Sequence, residues 1–153
     1  MKRKNDISIN INFELEKRNA ETGELIERIE EHNLVTEIGL NNLRDYLAGE
    51  ATDAEPSHFA IGTGTTDETL SDTQLENEVF RDIFTETINQ NIGEVKWKYY
   101  LASGDANTND ISEAGLFNDE TAGAMFARVT FAPDTKTSDE AWTFTWTLNI
   151  SNA

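Results

Sequence analysis

Trp142-Thr143-Phe144-Thr145-Trp146-Thr147-Leu148-Asn149-Ile150 alternates without a break, large apolar residues at even positions and polar ones at odd. Successive side chains of a strand point to opposite faces, so this period of two describes a strand with one face in a core and the other in water. The same rhythm opens the chain. In Ile7-Ser-Ile-Asn-Ile-Asn-Phe-Glu-Leu15 the odd positions are apolar and the even ones polar. Turn formers follow in Asn19-Ala-Glu-Thr-Gly23, and Glu24 to Glu31 can return as the second arm of an antiparallel hairpin. Val95, Trp97, Tyr99 and Leu101, interleaved with Lys96, Lys98 and Tyr100, predict a third long strand running to Ser103.

Shorter candidates fill the space between. Ile111 to Phe117 and Ala124 to Ala132 flank a hairpin-type turn over Asn118-Asp-Glu-Thr-Ala-Gly123, and His58 to Ile61 leads into Gly62. Val79 to Ile92 fits both periods, but its threonines and the following Gly93 favour strand. One helix is predicted over 36–49: Thr36 is a natural N-cap, Ile38, Leu40, Leu43, Tyr46 and Leu47 form an apolar stripe, and Gly49 suits the C-terminal cap. The expected fold is mainly β, an antiparallel β-sandwich of jelly-roll type with one packed α-helix. Residues 1–153 read as a single domain, with an N-terminal hairpin arm at 1–31, the helix at 36–49 and the main β-sheet region at 57–153. No repeat of 20–50 residues is present.

Composition agrees with one core. A length of 153 residues is close to the ~100–150 of a typical domain. Three Trp, three Tyr and eight Phe supply large burial units, although the apolar fraction is only 37%. The net charge of −17, from 12 basic and 29 acidic residues, opposes binding to DNA, RNA or anionic lipid, because the basic residues are scattered and the run Lys2-Arg3-Lys4 is short. No apolar stretch approaches the ~18 residues of a membrane helix, and the start does not read as a signal peptide. The absence of cysteine removes disulfides, thiolate metal sites and Cys nucleophiles together. The expectation is therefore no nucleic acid, no membrane and no cofactor.

Motifs for chemistry are sparse. Gly62-Thr-Gly64-Thr-Thr lacks the Lys-Ser/Thr of a phosphate loop and runs into Asp67 and Glu68, which would repel phosphate. The two histidines, His32 and His58, belong to no zinc pattern, and no Gly-x-Ser-x-Gly turn accompanies a serine. Asp105, Asn107, Asn109 and Asp110 resemble the opening of a calcium loop, but Asp110 stands where an EF-hand needs Gly and Leu116 where it needs Glu. An irregular oxygen site for Ca2+ between strands is the remaining candidate, against an Asx-rich turn. Gly62 and Gly64 would permit a sharp strand exit, Glu113 beside Gly115 could orient a turn through backbone N–H groups, and Arg128 is the natural partner for a buried or interfacial carboxylate such as Glu113, inside one subunit or, as the alternative, between subunits.

Several of these stretches fall in a familiar order. Thr22-Gly23-Glu24 in a hairpin, His32-Asn33-Leu34-Val35-Thr36 before a helix, and Phe59-Ala60-Ile61-Gly62-Thr63-Gly64 come first. An acidic loop reaching Leu75, Arg81, Ile111-Ser-Glu-Ala-Gly-Leu-Phe117, Phe126-Ala-Arg128 and a Trp/Thr-rich last strand complete the set. From about residue 13 to 151 the chain resembles small virion structural proteins of tailed bacteriophages and related archaeal tailed viruses. The resemblance implies a non-enzymatic particle component, on the virion exterior as capsid decoration, turret or tail-fibre part. Its implied partners are other virion proteins and further copies of itself, often as a trimer. Two other readings compete: a carbohydrate-binding β-sandwich using Trp97, Tyr99, Tyr100 or Trp142 as a stacking platform, and a small hydrolase with no identified nucleophile, base or metal. Buried tryptophans would count against the platform.

Overall fold

The computed structural model describes residues 6–50 and 55–152, so the basic run Lys2-Arg3-Lys4 lies outside the described residues. The elements in order are β1 (Ile7–Asn19), β2 (Leu25–His32), β3 (Leu34–Val35), α1 (Glu37–Ala48), β4 (His58–Gly62) and β5 (Glu78–Ile83). They continue as β6 (Glu86–Ile88), β7 (Glu94–Leu101), β8 (Asp110–Phe117), β9 (Met125–Thr135) and β10 (Glu140–Asn152). The strands form two antiparallel five-stranded sheets. The first has the order β2-β1-β10-β7-β6 and the second β3-β9-β8-β4-β5, which makes the molecule a β-sandwich.

The two segments with unbroken alternation lie side by side. β1 and β10 pair from Ile7↔Asn152 to Asn19↔Glu140 with no register shift, because one slip would turn every apolar side chain out of the core. The hairpin with β2 forms as expected, but it does not project as an arm. β1 lies between β2 and β10, and Ile11, Phe13 and Leu15 are buried, since their apolar face needs the cover of the opposite sheet. The division between an arm at 1–31 and a β region at 57–153 therefore dissolves, the first sheet being built from both.

Aromatic side chains fill the space between the sheets. Phe59 of β4 stacks on Tyr99 of β7 at 4.4 Å between ring centroids, and Phe13 of β1 stacks on Phe131 of β9 at 5.5 Å. Phe59 also meets Phe144 and Trp146 of β10. Such pairs contribute about 0.5–1.5 kcal/mol each beyond the area they bury. The Tyr99 hydroxyl donates to Asp82 at 3.0 Å, and burial together with that carboxylate pushes its pKa up.

α1 begins and ends where its caps place it. The Thr36 hydroxyl accepts from the Gly39 N–H at 3.0 Å and donates to the Met125 carbonyl at 2.6 Å, tying the cap to β9. Gly49 closes the helix with φ 73° and bonds back to the Asp45 and Tyr46 carbonyls. The expected apolar stripe is only half used. Leu40, Tyr46 and Leu47 are exposed and Gly39 alone is fully buried, because the helix docks through that glycine so closely that a Cβ would collide with the Phe126 carbonyl. The ambiguous segment after Val79 is strand, as β5 and β6.

Candidate functional site

The outer face of the second sheet is covered by the loop 63–77 between β4 and β5, and the residues singled out in the sequence meet beneath it. Gly62 lies across from Glu113 in the β4–β8 ladder, and Gly115 lies across from Arg128 in the β8–β9 ladder. A bulge between Ile111 and Glu113 sets this up: Ile111 and Ala114 both join the core although three residues apart, which leaves Glu113 on the outer side.

The Glu113 carboxylate is fully buried and accepts from three backbone N–H groups of the loop: Gly64 at 3.0 Å, Glu76 at 3.0 Å and Asn77 at 2.9 Å. It also accepts from Arg128 Nε at 3.0 Å. Arg128 is itself buried; its Nη1 donates to Asp72 at 2.8 Å and its Nη2 to the Thr66 carbonyl at 2.9 Å. Ser112 adds a hydrogen bond to the Gly64 carbonyl at 2.7 Å. Two buried ions are costly to desolvate unless paired and fully hydrogen-bonded, and here both are. Burial disfavours the Arg128 charge, but Asp72 and Glu113 outweigh it and raise its pKa. For Asp72 burial acts upward, but the Thr69 N–H and hydroxyl and the Arg128 guanidinium hold the carboxyl below its ordinary range.

The glycines are dictated by this packing. A Cβ on Gly64 would sit 2.6 Å from the Glu113 carboxylate, and one on Gly62 would strike both that carboxylate and the Asn77 carbonyl. At Gly115 a Cβ would press on Leu75 at 3.1 Å. Leu75 plugs a second small apolar cluster with Ala60, Phe117 and Met125. Arg81 lies over the Phe117 ring at 3.7 Å and donates to the Asp119 and Ala122 carbonyls, pinning the β8–β9 turn.

Chemically the cluster is a closed latch. The glycine-rich loop does cradle an anion with its N–H groups, but the anion is the chain's own Glu113. Asp72 was not distinguished in the sequence, since it is one of many acids in its loop and lies 56 residues from Arg128. The buried cations Lys17 and Lys136 were also missed. Lys17 bonds Glu27 at 2.8 Å and Asp134, with its ammonium 4.8 Å from the centre of the Trp142 ring.

The calcium candidate resolves differently. The Asn107 side-chain oxygen accepts from Lys136 Nζ at 3.0 Å, so an ammonium takes the place of the candidate metal at this oxygen. Asp110 accepts from the Thr135 hydroxyl, and the Asn109 amide donates to the Ala106 and Asn107 carbonyls. Asn107, Asn109 and Asp110 thus have separate tasks in an Asx-rich turn, in which the Asp105 N–H donates to the Ala102 carbonyl and Ala106 and Thr108 have positive φ. Among the described residues no group of three or more His, Cys, Asp or Glu could hold a metal ion.

The aromatic platform is likewise dismantled by burial: Trp97, Tyr99 and Trp142 are in the core and only Tyr100 is exposed. The Ser57 hydroxyl lies 2.8 Å from Nδ1 of the adjacent His58, in a shallow depression with Glu55, Asn118, Asp119 and Glu120. Among the described residues no carboxylate is hydrogen-bonded to His58 in the way a triad requires. No protein-family model, curated protein or solved structure matches this chain.

Proposed function

We propose that the chain is a non-enzymatic structural component of a tailed virus particle, displayed on the virion exterior as capsid decoration, turret or tail-fibre part. It works through contacts with other virion proteins and with copies of itself, as a homotrimer. The observation that carries this reading is the latch: the residues best suited to chemistry, Glu113 and Arg128, are consumed in fastening a surface loop to the sandwich. Those residues also belong to the stretches that carry the resemblance to virion proteins. What remains for function is the outer surface of the sandwich, suited to assembly.

The carbohydrate-binding reading loses three of its four platform residues to the core, and nothing in the geometry favours it. Mass spectrometry of gradient-purified particles from a host whose genome encodes the chain tests the proposal. The chain is expected in fixed stoichiometry, with gold-labelled antibody on the particle exterior. Its absence from particles, while abundant in the infected-cell lysate, would refute the role. Neighbouring genes then separate the sites, a major capsid protein favouring decoration and a tape-measure or baseplate gene favouring the tail.

A further inference from the structure

The apolar face of the first sheet continues past the edge of the core. Along β1, exposure of the inward positions rises from 0% at Leu15, 1% at Phe13 and 3% at Ile11 to 42% at Ile9 and 69% at Ile7. On β10 the same step separates Leu148 at 5% from Ile150 at 43%. Ile9 and Ile150 are direct partners in the ladder, so the bare isoleucines are neighbours. The alternation does not change at this point. What ends is the cover from the second sheet.

Ile92 joins the same end. It is fully exposed on the β6–β7 turn and lines one shallow depression with Ile7, Ile150, Ser151 and Asn152. The turn is fixed, because Gly93 has φ 67°, its carbonyl accepts from the Ile150 N–H at 2.7 Å, and a Cβ there would collide with the Ile150 carbonyl. Isoleucine is therefore held in water by a rigid frame.

The charge at this end decides what could cover it. In a chain of net charge −17, residues 7–13, 88–93 and 148–152 carry no charged side chain. The flanking Glu94 is engaged by Asn91 at 2.8 Å and Lys96 at 3.6 Å. Asp6 flanks the first of these stretches as Glu94 flanks the second, but the stretches themselves are uncharged. Two copies of the chain, elsewhere repelled by their own acidity, can meet here with less like-charge cost. A membrane is the less suited occupant, because the exposed positions of these stretches include no Trp, Tyr or Phe of the kind that anchors at a lipid interface and the net charge is −17.

We infer that the isoleucine end of the first sheet, Ile7, Ile9, Ile92 and Ile150, is the self-association surface, closing against the same end of further copies around a symmetry axis. This deepens the proposed function and rests on its oligomeric part, but it can fail separately. Sheet-on-sheet packing explains the geometry: each copy supplies the apolar cover that the second sheet does not extend far enough to give.

Sedimentation velocity over a concentration series, on the full chain and on the variant Ile92→Ser/Ile150→Asn, tests it. These side chains are exposed, and unchanged circular dichroism and Tm would verify that the variant folds. The wild type is expected to associate, and the variant to require at least about tenfold higher concentration, equivalent to a loss of about 1.4 kcal/mol per subunit added. A wild type that stays monomeric, or a variant that associates as the wild type does, would overturn the inference. Co-sedimentation of the wild type, but not the variant, with phosphatidylcholine/phosphatidylserine vesicles would overturn it in favour of lipid. A chain that self-associates through this end but is absent from virus particles would leave the inference standing and remove the viral role.

Discussion

The two outer faces of the sandwich are built on opposite plans. On the first sheet the row Glu14–Thr145–Lys98–Glu86 runs across four strands, and its neighbours Asn12, Thr147 and Lys96 are equally polar. This face needs no cover, because its side chains are polar apart from Ile88 beside Lys96 and Tyr100 beside Thr143. On the second sheet the outward positions include Ala60, Gly62, Gly115, Phe117 and Met125, with Glu113 and Arg128 among them, and a loop is fastened over the whole. The contrast teaches that strand alternation alone specifies an open face, whereas a covered face requires a long-range latch. Substitutions should therefore be costly on one side and nearly silent on the other.

The largest effect is expected at Arg128. Arg128→Ala leaves Glu113 buried without its cation, which should cost about 3–5 kcal/mol and lower Tm by about 10 °C, as read by denaturant and thermal unfolding. A loss below 1 kcal/mol would mean that the two faces do not differ in kind. Next comes Gly64→Ala, whose methyl would crowd the Glu113 carboxylate at 2.6 Å; about 1–3 kcal/mol is expected from denaturant midpoints.

Acid should act on the same side. The folded Asp72 carboxyl has its pKa below the unfolded value of about 3.9, so its contribution is complete well above that pH and is lost as pH falls through the lowered folded value. Unfolding midpoints measured from pH 6 down to pH 2.5 should fall less steeply in Asp72→Asn than in the wild type, and parallel curves would contradict the assignment. The smallest effect belongs to the open face, where Thr145→Ala should change stability by less than about 0.5 kcal/mol in the same denaturant assay.

The same contrast explains what could be read from the sequence. β1, β10, β7 and the capped helix follow from local rules, since alternation, an N-cap threonine and a C-cap glycine act within a few residues. The pairing of Glu113 with Arg128 was also legible, because a carboxylate inside Ile-Ser-Glu-Ala-Gly-Leu-Phe is conspicuous and has few cations to meet. Asp72 was not legible. Its loop holds several equivalent acids, and only the folded path of the chain brings one of them to Arg128. The bulge at Ile111–Glu113 was equally hidden, since no glycine or proline marks it. Reach was harder to read than type: alternation identifies inward residues but does not report where the opposite sheet stops, which is why Ile7, Ile9 and Ile150 read as core.

The central claim is that the loop 63–77 is locked onto the second sheet by Glu113 and Arg128. Native-state hydrogen exchange of the Gly64, Glu76 and Asn77 amides, all of which donate to the Glu113 carboxylate, tests it most directly. These amides should exchange only through openings close to global unfolding in free energy, and should lose that protection in Arg128→Ala. Exchange as fast as in an unprotected surface loop would contradict the latch and reopen this face as a site.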